Sequence, residues 1–284
     1  MSCWSIEPQA PDEPSARRDA LYAGRVFLLP ATATTEALVE DARALLVQAF
    51  ADLGLPPREA PQHLDNDSLF ERIGPLRKRL YTDPHFHARL GDIADEAGFP
   101  RGEVAFDPLR LRVIVHRGHE NPLARPVYYP HRDTWYGHPQ TLVTGWIPLD
   151  DLEAGETFVF HPSWFARAVP NDSETFEYTR WVSDAGQLKV GWQDKTAGQR
   201  VRYPGLVGDF DPGEQVGFAC ARAQRLLFSG AHFHTTLPQA TGRTRYSLDF
   251  RVVHLGDTAA GRGAPNVDAR GRGSALADYL RLPT

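Results

Sequence analysis

His131 and Asp133 stand two residues apart in "YYPHRDTWYGHPQTLVTGWIPLDD" (128–151), just before a strand-like run. On an extended segment residues i and i+2 point the same way. An imidazole and a carboxylate converging in this manner are two of the three ligands in the facial set of non-haem iron, two histidines and one carboxylate, which leaves the opposite face of the metal open. The same pair suits a surface ion pair or a hydrogen-bonded core histidine. The triplet H-R-D also occurs in the catalytic loop of protein kinases. Here position 138 is His, no glycine-rich loop or V-A-I-K-like lysine precedes it and no D-F-G follows, which excludes that reading.

A second chemical cluster lies near the end, in "RLLFSGAHFHTTLPQATGRTRYSLDFRVV" (225–253). His232 and His234 fall on one side if the segment is extended. After Pro238 and Gly242 comes a strand with Arg245, Ser247, Asp249 and Arg251 on one face and Tyr246, Leu248, Phe250 and Val252 on the other. In a barrel covered outside by helices, the polar face points inward, where charges must be paired or hold a charged ligand. An arginine fork suits a carboxylate, and the Ser247 hydroxyl adds a second donor. The other histidines point less clearly to chemistry. His63, His85 and His87 lie in the helical half, and His254 reads as structural. His116 and His161, at strand ends, could line a cavity.

These residues need a scaffold. "GRVFLLP" (24–30) reads as a short strand. "TTEALVEDARALLVQAF" (34–50) has apolar residues on one helical face, with Thr34 or Thr35 as the cap. A proline-punctuated helical region spans 66–98, ended by Gly98 and Pro100. From about 105 the texture turns to short strands: 109–115, 140–149, 156–160, 214–219, 225–230 and 244–255. A helical start followed by many strands predicts a β-barrel or sandwich with helices packed outside. Residues 177–209 read as a long polar excursion that closes over the site as a lid. Residues 1–20 read as a flexible tail, and 256–284 as a C-terminal tail ending in a small helix, "ALADYL". The remainder, 21–284, forms one domain: a strand plus helical cap over 21–104, then the β core over 105–255.

The whole chain sets outer bounds. It has 284 residues and a net charge of −5, which gives no basic surface to neutralise phosphates and argues against nucleic-acid binding. The two cysteines, Cys3 and Cys220, are far apart and suggest no disulfide framework. No signal-peptide pattern or membrane-length apolar run occurs, so the expected address is the cytoplasm. Five of the six tryptophans lie between Trp135 and Trp192; any that line a pocket point to a substrate with an apolar or ring-bearing part.

Taken together, His131-x-Asp133, a distal histidine about a hundred residues on, and Arg245-x-Ser247 eleven residues after His234 resemble the Fe(II)/2-oxoglutarate-dependent dioxygenases. The texture over 105–255 is most similar to bacterial members of the phytanoyl-CoA dioxygenase-like group. The resemblance implies a double-stranded β-helix (jelly roll, cupin-like) with N-terminal helices outside. It implies that His131, Asp133 and His234 hold Fe(II), and that Arg245, assisted by Ser247, binds the far carboxylate of 2-oxoglutarate. His232 with Arg243 has the same spacing as His234 with Arg245; the second pair is preferred because only it supplies Arg-x-Ser. Gln140, Trp146 and Arg112, on neighbouring strands, are further candidates for 2-oxoglutarate or substrate contact.

The implied reaction consumes O₂ and 2-oxoglutarate, releases succinate and CO₂, and oxidises a C–H bond of a small-molecule substrate. Family members that halogenate carry Gly or Ala where Asp133 stands, so the resemblance implies hydroxylation, or a related desaturation or ring-forming oxidation. Two other readings stay open: a cupin-type metal enzyme that does not use 2-oxoglutarate, and a jelly-roll binding protein without turnover.

Overall fold

A computed structural model describes residues 4–122, 124–185 and 203–281. Its centre is a seven-stranded sheet in the order β1-β2-β6-β4-β8-β3-β9. The strands are β1 (Ile6–Glu7), β2 (Val26–Leu29), β3 (Val104–Ile114), β4 (Leu142–Pro148), β6 (Arg225–Ser229), β8 (Arg245–His254) and β9 (Leu280–Arg281). A two-stranded sheet pairs β5 (Phe158–Phe160) with β7 (His234–Thr236). With the helices described below, this is the β-rich layered arrangement of sandwich and cupin-like folds.

Alternation decides what each face of the large sheet meets. One face carries Phe27, Val143, Ile147, Leu227, Leu248 and Phe250, and these pack with Leu38, Leu46, Ile73, Phe86 and Leu90 into the main core. The latter come from α2 (Ala33–Ala49), α3 (Asn66–Thr82) and α4 (Pro84–Glu96). The opposite face contributes Val26, Trp146, Leu226 and Phe228 to a second cluster with Phe158 and Phe160 of the short sheet. The two sheets therefore face each other. Arg245, Ser247, Asp249 and Arg251 alternate with the core residues of β8, so they lie on the side of the short sheet, and all four are buried.

Several expectations need correction. The segment read as a loose tail is built into the fold. Ile6 and Glu7 pair with Val26 and Phe27, and α1 (Pro14–Tyr22) buries Arg18, whose Nε lies 2.7 Å from Asp257 Oδ2. A charged, proline-rich composition hid a helix held by distant ion pairs, Arg18 to Asp257 and Asp19 to Arg262. The cap of α2 is Thr32, not Thr34 or Thr35, because Thr32 and Thr35 form a reciprocal capping box. The stretch 214–219 is no strand; only the isolated bridges Phe160↔Val216 and Leu152↔Cys220 form there. The C-terminal "ALADYL" is a 3-10 turn, Ala275–Asp278, followed by β9 on the edge of β3. In the expected excursion, α5 (Tyr178–Ala185) is helical, while residues 186–202 fall outside the described residues. No helix among the described residues is long and apolar enough to cross a membrane.

Gly145 of β4 is paired with Phe250 of β8. A Cβ on Gly145 would lie within 2.2–2.6 Å of the Phe250 ring, so the ring occupies the space that any side chain needs. Gly145→Ala should therefore cost about 1–3 kcal/mol through overpacking, read as a lower urea midpoint. An unchanged midpoint would contradict this packing.

Candidate metal centre

The ligand atoms of His131, Asp133 and His234 lie within 4.8 Å of one another. His131 precedes the sheet rather than starting a strand. It makes an isolated bridge with His234, each backbone N–H donating to the other's carbonyl at 3.0 Å. Asp133 then opens a 3-10 turn, Asp133–Tyr136, whose Thr134 N–H bonds the Gly230 carbonyl at 3.3 Å. The intervening turn keeps this segment out of the ladder, which begins at Leu142. Gly230 has no side chain to obstruct the approach: a Cβ there would meet Leu142 at 2.5 Å and Asp133 Cβ at 3.2 Å.

Both imidazoles are held in one tautomer. His131 Nδ1–H donates to the Tyr129 carbonyl at 2.8 Å and His234 Nδ1–H to the His232 carbonyl at 2.9 Å, which leaves each Nε2 lone pair for a metal. The rings sit 4.4 Å apart, centroid to centroid. Burial, and then the His234 imidazole beside it, push His131 down to about 3; burial lowers His234 as well. Both are neutral at physiological pH. Burial alone would raise Asp133, but the Arg251 guanidinium together with the neighbouring His234, His131 and His138 outweighs it and holds the carboxyl well below its usual range. Two neutral nitrogens and one anionic oxygen are a donor set that fits a non-haem iron ion.

One rung of the sheet supports the carboxylate. Arg251 of β8 is in register with Asp107 of β3 and with Thr144 of β4. Arg251 Nη2 lies 3.3 Å from Asp133 Oδ1, and its Nη1 lies 3.2 Å from Asp107 Oδ2. Thr144 Oγ1 donates to Asp133 Oδ2 at 2.8 Å. The sequence had placed Arg251 on the polar face but had not connected it with Asp133. Thr144 was missed altogether, although it shares a strand face with Trp146. Tyr136, whose ring lies 5.4 Å from that of His131, was missed too.

The other anticipated residues divide. Arg245 is 3% exposed. Its Nη1 reaches only the Glu156 carbonyl, at 3.5 Å, its Nε has no partner, and burial pushes its pKa down to about 10. No carboxylate among the described residues pairs with it. The Ser247 hydroxyl, fully buried, also has no partner among the described residues. Trp146 joins this pair to the metal cluster. Its ring lies 5.9 Å below the Arg245 guanidinium and 5.5 Å from Phe158, whose ring is 5.7 Å from His234. Arg112 is in register with Ser247, but its fork is taken by Asp249 at 2.8 and 2.7 Å. Gln140 lies in the turn that precedes β4, where its carbonyl accepts the Ala264 N–H at 2.9 Å and its side-chain Oε1 is buried without a hydrogen-bond partner among the described residues. His232 turns away, against Phe165 at 4.5 Å and Phe160 at 5.2 Å, and Arg243 is half-exposed beside Glu156. His161 binds Thr235 Oγ1 at 2.8 Å and His116 Nδ1 accepts from Gly242 N–H at 3.2 Å, so neither belongs to the cluster.

No family model matches the sequence, and no curated protein does. Solved structures resemble the chain at low identity, among them those of three proteins. EvdO2 from Micromonospora carbonacea var. aurantiaca is 16% identical at a TM-score of 0.40, over 65% of this chain and 64% of its own, so the match spans less than two thirds of that protein; EvdO2 has also been solved with 2-oxoglutarate. AviO1 from Streptomyces viridochromogenes Tue57 is 15% identical at a TM-score of 0.44, over 91% of this chain and 100% of its own. SnoN, a non-haem α-ketoglutarate-dependent epimerase from nogalamycin biosynthesis, has been solved with Fe³⁺, α-ketoglutarate and nogalamycin RO; it is 14% identical at a TM-score of 0.42, over 91% and 98%. The functional case rests on the chain's own residues.

The two nearby histidines give a direct check. His234→Ala should abolish tight Fe(II) binding in an anaerobic titration, whereas His232→Ala should leave most of it. The reverse outcome would place the ligand on the wrong histidine.

Proposed function

We propose that the chain is an Fe(II)- and 2-oxoglutarate-dependent dioxygenase with a double-stranded β-helix core, of the phytanoyl-CoA dioxygenase-like kind, that oxidises a C–H bond of a small-molecule metabolite. The observation that carries this reading is Arg245, a buried guanidinium without a carboxylate partner among the described residues. An unpaired buried charge costs several kcal/mol, and a ligand carboxylate relieves that cost. The partnerless Ser247 hydroxyl supplies a second donor at the same place.

In this reading His131, Asp133 and His234 hold the iron, and Arg245 with Ser247 holds the far carboxylate of 2-oxoglutarate. When bound, the iron supplies activation of O₂, coupled to conversion of 2-oxoglutarate into succinate and CO₂. The protein's own residues arrange and protect. The Tyr129 and His232 carbonyls fix the imidazole tautomers. Thr144 and Arg251 hold Asp133 ionised and oriented. Trp146, Phe158 and Phe228 keep water from the wall between Arg245 and His234.

Asp133 stands where, by the resemblance, halogenating members have Gly or Ala, which favours hydroxylation, desaturation or ring formation. The net charge of −5 gives no attraction to nucleic acid. A metal enzyme that does not use 2-oxoglutarate, or a binding protein without turnover, accounts for the metal cluster but leaves Arg245 and Ser247 without a purpose. The expected outcome for Arg245→Lys is 2-oxoglutarate binding weakened about 10–100-fold, the value of a charged hydrogen bond, with iron affinity near that of the native protein. Calorimetric titration of the iron-loaded protein measures both. Unchanged 2-oxoglutarate affinity would remove Arg245 from this role.

A further inference from the structure

Arg132, the residue between His131 and Asp133, cannot join a metal through its cationic fork, yet it is 1% exposed. Its Nη2 donates to the carbonyls of Trp164 and Arg167, at 2.6 and 2.9 Å, and its Nη1 to that of Ala231. Ala231 lies in the loop that delivers His234, so one side chain spans both ligand-bearing segments. The charge is answered by Asp268, whose Oδ2 lies 3.0 Å from Arg132 Nε. The other oxygen, Oδ1, accepts from the indole N–H of Trp135 at 2.8 Å, and Oδ2 also accepts from Val169 N–H at 2.9 Å.

Asp268 belongs to the segment between β8 and β9, which carries no metal ligand. That segment follows the ligand loop closely. Farther along it, Ala275 N–H bonds the Gly137 carbonyl and the Tyr279 hydroxyl bonds His138 Nδ1, both at 2.9 Å. Arg132 and Trp135 flank Asp133 in sequence, and both end on the same carboxylate.

We propose that Asp268 is a positioning residue for the metal centre: by fixing Arg132 and Trp135 it sets where Asp133 stands relative to His131 and His234. The inference rests on the metal-centre reading above. Metal ligands must be held to within about 0.5 Å of their working geometry, and loss of an outer partner weakens metal binding by about 10–100-fold. Asp268 acts through Arg132 and Trp135, neither of which is a member of the ligand cluster.

The test uses the full chain loaded with Co(II), whose visible spectrum reports ligand geometry. Asp268→Asn leaves Arg132 without its counter-charge; Trp135→Phe removes one hydrogen bond and keeps a ring in place, so it stays folded even if the first variant does not. Asp268→Asn should bind Co(II) about 10–100-fold more weakly, and Trp135→Phe about 2–10-fold more weakly, because it removes one hydrogen bond to the carboxylate and leaves the Arg132 ion pair in place. In both, the cobalt spectrum of the loaded site should shift while the far-ultraviolet circular dichroism of the metal-free protein stays native. A merely structural role lowers the melting temperature but leaves the spectrum of the loaded site unchanged. Folded variants with native cobalt affinity and spectrum would overturn the proposal. If the unaltered protein binds no Co(II), the metal-centre reading itself falls, and this inference with it.

Discussion

Asp133 keeps its charge in a dry interior because the Arg251 guanidinium lies 3.3 Å away. Burial by itself would favour the protonated acid, which is a poor ligand for a cation. The same arginine also meets Asp107 at 3.2 Å, so it is shared between a structural carboxylate on β3 and the carboxylate of the ligand cluster. Removing one partner from such a buried pair costs about 3–5 kcal/mol. The sheet therefore has to place Asp107, Arg251 and Thr144 on one rung, and the pairing of β3, β8 and β4 does so. Register and site electrostatics are one constraint: a one-residue slip of β8 would turn Arg251 and Arg245 toward the helices and Phe250 toward the cluster.

The helices make that arrangement affordable in physical terms. Three helices cover one face of the large sheet with an apolar core, which leaves the other face to carry charge. Along β8 the charges are neutralised in turn: Arg251 by Asp107 and Asp133, Asp249 by Arg112. Among the described residues, Arg245 alone ends the row without a carboxylate. A row of satisfied ion pairs with one unsatisfied member marks the place where a ligand is expected.

Much of this was legible in the residues themselves. The strict alternation of β8 gave its two faces, and the order His-x-Asp, distal His, Arg-x-Ser gave the cluster its candidate members. The spacing could not separate His232 from His234, because both precede an arginine by the same interval; packing of His232 against Phe165 and Phe160 separates them in the structure. Thr144 and the Arg251–Asp133 contact were not legible, since they arise from strand register between distant segments. The ends of the chain were misread for a related reason. Residues 4–22 and 264–281 form short elements held by bonds to residues far away in the chain, such as Arg18 to Asp257 and Arg132 to Asp268, and such elements leave no period in the sequence.

The central claim is that the His-Asp-His cluster and the solitary Arg245 serve one chelated cosubstrate. Anaerobic absorption spectroscopy tests it most directly. Addition of 2-oxoglutarate to the Fe(II)-loaded protein should produce a weak visible charge-transfer band, saturating at one equivalent of bound ligand, that succinate, which lacks the keto group, does not elicit. Iron that binds tightly yet gives no band at saturating 2-oxoglutarate would contradict the account.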